Sequence, residues 1–295
     1  MYAELPILGG VAVTDTPTVD SSNTDQFRSW DGGGGTFWTE YSGRFDEGMA
    51  GYHGELLAAA DIQPDSVTLD IGCGSGQVTR DAARAAPEGS ALGVDLSSPL
   101  LDLARTLAAK DQLTNATFVQ ADAQVHDLGE ARFDVAVSRH GTMFFGDRLA
   151  AFANIARAIR PGGRFVQLTW QALDRNEGIS TFRTIASGGR ELPPPPPEAP
   201  TPFSMSDPDR VHRLMREAGF ADVELTSLTV PMYYGRDVDD AFDFIAGNFA
   251  SSFDQLADAA RSRALDALKV NIAEHLTDRG VLYDAAHWLI HARRT

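Results

Sequence analysis

Val67-Thr68-Leu69-Asp70-Ile71-Gly72-Cys73-Gly74-Ser75-Gly76 decides the fold. A short β-branched run that ends in glycine reads as a strand, and Ser75 to Ala86 reads as the helix after it, stopped by Pro87. The alternation continues to residue 170. Ala91-Leu92-Gly93-Val94-Asp95 is a second strand, and Ser98-Pro99 opens a helix, with N-cap and first-turn proline, whose apolar face is Leu100, Leu103, Ala104 and Leu107. Thr117-Phe118-Val119-Gln120 and Phe133-Asp134-Val135-Ala136-Val137 are the third and fourth strands. Asp147 caps a helix striped by Leu149, Phe152, Ala153, Ala156 and Ile159, stopped at Pro161-Gly162-Gly163, and Arg164 to Trp170 is the fifth strand. Strands and helices alternating through short loops imply a parallel sheet with helices on both faces.

The flanks are less regular. Residues 1–65 are an N-terminal segment whose first thirty positions are polar and turn-rich, and the first part of these is expected to be poorly ordered. Trp30-Asp31-Gly32-Gly33-Gly34-Gly35-Thr36-Phe37-Trp38 sets four glycines between aromatics, as a loop that packs down over something. A helical stretch follows through Tyr41, Phe45, Met49 and Leu56-Leu57. After the core, residues 66–171, a crossover over 172–206 carries the proline run Pro193 to Pro197. Residues 207–295 complete the sheet with a helix from Asp207-Pro208 to Gly219, strands at 223–230 and 286–292, and helices over 239–276. These last helices would form a far wall for a ligand or a contact between two copies.

Composition narrows the function. The chain has 295 residues, which at ~150 residues per domain means one large domain or two small ones. Its net charge of −16 counts against nucleic acid and anionic lipid as partners. No apolar run approaches the ~20 residues that span a bilayer, and Met1 to Asp15 lacks the cationic start of a secretory signal. The lone cysteine, Cys73, forms no internal disulfide and is expected to pack rather than react. A cytoplasmic protein, monomeric or homodimeric, is expected.

The glycine loop would let a ligand approach backbone amides closely. Its spacing is G-x-G-x-G, with Gln77 where a dinucleotide fingerprint has its third glycine. The Asp70 carboxylate at its mouth would repel a pyrophosphate and suit an ammonium group. Asp95, at the end of the second strand, is placed to accept from ribose hydroxyls. Asp122 in Ala121-Asp122-Ala123 can accept from an adenine amine. Ribose, adenine and an amino acid without phosphate describe S-adenosylmethionine. The alternative for Asp70 and Asp95 is a pair of strand-end caps.

The stretch 67–170 resembles the class I S-adenosylmethionine-dependent methyltransferases, through the glycine loop, Gly93-Val94-Asp95-Leu96-Ser97, Ala121-Asp122-Ala123, Phe133-Asp134-Val135 and Arg160-Pro161-Gly162-Gly163-Arg164. More narrowly it is similar to the ubiquinone and menaquinone C-methyltransferases and to bacterial small-molecule methyltransferases, also through Ser138-Arg139-His140-Gly141-Thr142-Met143-Phe144-Phe145 and the aromatic segment 30–46. The resemblance implies a Rossmann-like seven-stranded sheet in the order 3-2-1-4-5-7-6 with strand 7 antiparallel. It implies S-adenosylmethionine as cofactor, leaving as S-adenosylhomocysteine. Gly72, Cys73, Gly74 and Gly76 would line the methionine moiety with Asp70 orienting it. Asp95 with Leu96 would hold the ribose, Asp122 and Ala123 the adenine, and Ser138 would floor the site beside the methyl group.

A small-molecule methyl acceptor would meet the donor beyond the fourth strand. His140 stands where relatives are expected to carry an aromatic ring. It is a candidate general base or hydrogen-bond donor, against the plainer role of a packed ring. Arg139 could anchor a substrate carboxylate or pair with a surface acid. Trp30, Phe37, Trp38, Tyr41 and Phe45 could form a lid, with Tyr41 reaching the methionine carboxylate. Met143, Trp170, Met232, Tyr233 and Tyr234 could complete an aromatic pocket. His126 and Asp127 are expected at the surface, and His287, Leu289 and His291 on one mixed, partly exposed strand face. Ser138-Arg139-His140 replaces the carboxylate pair of metal-dependent relatives, so no catalytic metal is expected. The rivals are a nicotinamide-dependent oxidoreductase, disfavoured by Gln77 and Asp70, and a donor-binding protein that does not methylate.

Overall fold

At the centre of the sheet lies β1 (Val67–Ile71), parallel to β2 (Ser90–Asp95) on one side and to β4 (Phe133–Arg139) on the other. The computed structural model describes residues 17–190, 192, 196 and 198–295. The segment tested for a secretory signal, 1–15, and most of the proline run therefore lie outside the described residues. The sheet has seven strands: β3 (Ala116–Gln120), β2, β1, β4, β5 (Ile159–Trp170), β10 (Ala286–Arg294) and β6 (Phe220–Thr229), in that spatial order. The last strand in sequence, β10, runs antiparallel between β5 and β6, with Leu289 facing Leu168 on one side and Thr226 on the other. This is the expected order.

Among the described residues four α-helices precede the sheet: α1 (Thr24–Trp30), α2 (Gly33–Glu40), α3 (Ser42–Gly48) and α4 (Ala50–Ala60). Asp20 and Asn23 bind the core, and the glycine tract is a helix rather than the expected loop. Glycine disfavours helix by up to ~1 kcal/mol each, so tertiary contact carries α2, which packs on α6 (Ser98–Lys110). The α6 cap is Ser97, one residue before the expected one; its hydroxyl accepts from Leu100 N.

Between the strands, α5 (Gln77–Ala85) packs on β1 and β2, while α4 lies on β4, β5 and β10. α7 (Arg148–Ala158) packs on β5 and on α9 (Pro208–Glu217), which covers β6. Asp147 and Asp207 cap α7 and α9 as expected. The 172–206 crossover contains α8 (Glu177–Ala186). Sequence analysis missed a small second sheet of β7 (Met232–Gly235), β9 (Gly280–Tyr283) and β8 (Leu276–Thr277). It brackets the α10 (Val238–Asn248), α11 (Ala250–Phe253) and α12 (Asp258–Glu274) insertion. Among the described residues no helix is long and apolar enough to cross a membrane.

His287 is the other correction. β10 is an interior strand and Tyr52 of α4 lies over it, so His287 is fully buried rather than partly exposed. Its ring sits 4.0 Å from Trp170 and 5.0 Å from His140, centroid to centroid, and neither ring nitrogen has a hydrogen-bond partner. Burial pushes the imidazole down to about 3. The unfolded chain takes up a proton near its ordinary value and the folded chain does not, so stability is full above about pH 6.5 and falls below it, by at most ~1.4 kcal/mol per pH unit. Denaturant titrations between about pH 7.5 and about pH 5 should show this loss, and His287→Phe should reduce it. An equal loss in the variant would clear His287 of that role.

Candidate active site

The carboxyl ends of β1 and β4 mark the point where strand order reverses, and ligands of open α/β sheets bind in that crevice. Gly72 (φ +66) and Cys73 turn back so that both amides donate to Val94 O, at 2.9 and 3.1 Å. A Cβ on Gly72 would lie 2.6 Å from Gly141 Cα, so the two loops touch through backbone alone. Gly76 (φ +76) leads into α5, and a Cβ there would strike Phe118 and Ala104.

Three carboxylates converge on this crevice. Asp70 is 1% exposed; its Oδ2 accepts from Thr79 Oγ1 at 2.6 Å, while Oδ1 is buried without a partner. Burial pushes its carboxyl up to about 6, against the lowering effects of the Thr79 hydrogen bond and the Arg139 charge. Asp95 accepts from Gly74 N and Ser97 N, both at 2.8 Å, and burial raises it despite these bonds. Asp122 accepts from Asp20 N, Asn23 Nδ2 and Gln124 N.

One cavity of about 510 Å³ joins these groups to an aromatic chamber. Asp70, Gly72, Cys73, Gly74, Asp95, Leu96, Asp122 and Ala123 all line it. Trp30, Trp38, Phe45, Met143 and Trp170 line it too, as do Arg139 and His140. An oxygen of Asp70 left unpaired, beside glycines that keep side chains away, fits the ammonium of an S-adenosylmethionine molecule. Cys73 is buried, and burial drives its thiol well above its ordinary range.

Other residues expected at the site lie elsewhere. Tyr41 stacks on Phe37 at 4.7 Å and is absent from the lining. Alternation along β7 sends Met232 and Tyr234 into the cavity and turns Tyr233 away, toward Arg44. Ser138 is fully buried and its Oγ donates to Ile71 O at 2.7 Å, holding β4 to β1 outside the lining. Gly76 serves the packing of α5 rather than the cavity. His126 and Asp127 are exposed.

Arg139 is 9% exposed, paired with Asp46 of α3 and donating to Gln77 Oε1, so its charge is already met. His140 has φ +65, a conformation that a β-carbon makes costly. Its ring is parallel to Trp170 at 5.1 Å, and neither ring nitrogen has a partner. Burial, with His287 and Arg139 adding to it, holds its imidazole well below the usual range.

Sequence reasoning missed Asn23, and also Phe182 of α8, Phe203, and Phe249 beyond α10. Phe244 and Ile245 of α10 line the cavity beside these phenylalanines. The signal of the phenylalanines was absent because they come from the irregular crossover and the insertion, where periodicity does not show which face meets a cavity.

Residues 68–163 match the family described as methyltransferase domain. The chain is 33% identical over 131 residues to an uncharacterized protein of Mycobacterium tuberculosis, a match covering 44% of this chain. The chain spans about half, 47%, of that relative's length. It is 26% identical over 211 residues to a demethylmenaquinone methyltransferase of Symbiobacterium thermophilum, covering 62% of this chain and 81% of that protein. The YcgJ protein of Bacillus subtilis has a similar fold, with a TM-score of 0.55 at 16% identity over 82% of this chain and 97% of that one.

A ligand ammonium against Asp70 favours the ionised carboxylate. Binding of S-adenosylhomocysteine should therefore weaken as pH falls through about 6, by up to about tenfold per unit. Asp70→Asn should bind weakly and lose that slope. An unchanged slope in the variant would place the ammonium elsewhere.

Proposed function

The chain carries a class I S-adenosylmethionine-dependent methyltransferase domain, and on that premise we propose that it methylates a small aromatic or apolar molecule at oxygen, nitrogen or carbon. The carrying observation is the single cavity that joins the Asp70–Gly74 loop to a chamber of aromatic rings. S-adenosylmethionine supplies an electrophilic methyl on a sulfonium, transferred by in-line displacement with a neutral leaving group. The protein's share of such a reaction is placement and exclusion of water, which can account for much of a barrier when reacting atoms are held in line.

Asp70 would orient the amino group of the donor, Asp95 its ribose, and Asp122 with Ala123 its adenine. Arg139, fixed by Asp46 and Gln77, would hold α3 over the methionine end. Trp38, Phe45, Trp170 and Tyr234 would clasp the acceptor, and their lack of charge favours a flat apolar body. Similarity to a demethylmenaquinone methyltransferase supports an aromatic acceptor of that kind. His140 serves better as an acceptor contact than as a proton carrier: its nitrogens are enclosed and its basicity is low. The acceptor would then react through an atom that is nucleophilic without a protein base. No metal is needed for this, and among the described residues no three His, Cys, Asp or Glu side chains gather as a ligand set.

Incubation with methyl-deuterated S-adenosylmethionine and a panel of phenols, quinols and arylamines should give a labelled product by mass spectrometry, insensitive to chelator. Donor binding without transfer to any acceptor would overturn the assignment in favour of a donor-binding protein. His140→Phe should keep turnover within a few-fold, and His140→Ala should lose more by opening the wall. Equal losses in both at unchanged donor affinity would show that the imidazole itself acts.

A further inference from the structure

The donor pocket is roofed by a segment outside the methyltransferase domain, residues 20–31, held at both ends by the groups that flank the expected nucleoside site. At one end Asp20 N and Asn23 Nδ2 donate to the two oxygens of Asp122, at 3.0 and 2.9 Å. Asn23 is 1% exposed, and its Oδ1 accepts from Gly146 N at 3.0 Å. Gln124 Nε2 donates to Ser22 Oγ at 3.1 Å, and Gly146 runs so close to Ser22 that a Cβ there would lie 2.1 Å from Ser22 O. At the other end Asp31 Oδ1 accepts from Ser98 N at 2.7 Å and from Gln120 Nε2 at 2.9 Å. Gln120 Nε2 also donates to Leu96 O, in the loop that follows Asp95. Between the two ends Trp30 lines the cavity and sets its edge against Phe144 at 5.1 Å.

We propose that Asn23 and Asp31 are positioning residues of the nucleoside subsite: they fasten this strap over the donor, and its release limits donor exchange. The proposal rests on the donor assignment made above. Asp122 already accepts three hydrogen bonds, two of them from the strap. A carboxylate offers about four acceptor sites, so an adenine amine would fill the last. Strap and donor thus converge on one buried carboxylate whose hydrogen bonds are charge-assisted. Each steadies the carboxylate geometry that the other needs, and coupling of this kind is reciprocal: a bound donor holds the strap down, and a fastened strap slows the donor's escape.

The test is release of S-adenosylhomocysteine from the full chain, followed by stopped-flow chase using Trp30 emission, for wild type, Asn23→Ala, Asp31→Ala and Asp31→Asn. Release should quicken about tenfold or more in both alanine variants, the equivalent of ~1.4 kcal/mol each. Asp31→Asn, which keeps an acceptor oxygen, should recover part of the loss. Release rates equal to wild type in the folded alanine variants overturn the proposal. Should those variants fail to fold, hydrogen exchange of wild type decides: residues 20–31 should become protected when S-adenosylhomocysteine binds, and unchanged exchange overturns the strap. A wild type that does not bind S-adenosylhomocysteine overturns the donor assignment and the strap together, whereas binding with unaltered release overturns the strap alone.

Discussion

The contact on which the site depends is the approach of two backbones, Gly72 after β1 and Gly141 after β4. A Cβ on Gly72 would lie 2.6 Å from Gly141 Cα, and one on Gly141 would lie 2.5 Å from Ile71 O and 2.8 Å from Gly72 Cα. Ser138 Oγ bonds Ile71 O just below and also accepts from Gly141 N, so the strand ends are pinned where the sheet changes direction. This pinning puts Asp70 on one side of the crevice and His140 on the other. Tied by its amide to Leu168 O, His140 takes the left-handed conformation that lets Gly141 follow it into the contact.

The three carboxylates, Asp70 and Asp122 buried and Asp95 half-buried, have different amounts of unmet demand. Asp122 receives three donors, Asp95 two backbone amides, and Asp70 one hydroxyl, leaving one oxygen bare. A buried charge without a partner is costly, and Asp70 responds by rising to about 6. The place of greatest demand is therefore where a cationic group on a ligand does most. On the other side the ring nitrogens of His140 and His287 are also unmet, but they are enclosed among rings and stay neutral. Around Asp70 one polar oxygen faces the cavity without a partner, whereas around His140 and His287 polarity is packed away among rings.

The fold was largely legible because helices follow β1, β2 and β4, although β3 and β4 are joined without one, and glycine, proline or capping residues mark the helix ends. β10 was placed correctly, yet His287 on it was misjudged, since a strand pattern does not reveal a helix such as α4 lying above it. Of the donor residues read from short motifs, Gly76 and Ser138 stay outside the cavity and the others reached it, because a loop between a strand and its helix has little freedom. Tyr41 and Tyr233 did not, since each lies outside the core, where a shift of one position turns a side chain away. Asn23 was invisible for a related reason: nothing local marks it, and its role arises from a contact 99 positions along the chain.

The most direct measurement is parallel calorimetric titration of the purified chain with S-adenosylhomocysteine and with NADH. One-to-one, micromolar binding of S-adenosylhomocysteine and none of NADH is the predicted result. Binding of NADH, or of neither ligand, would contradict the assignment of Asp70, the glycine loop and Asp95 to a sulfonium nucleoside.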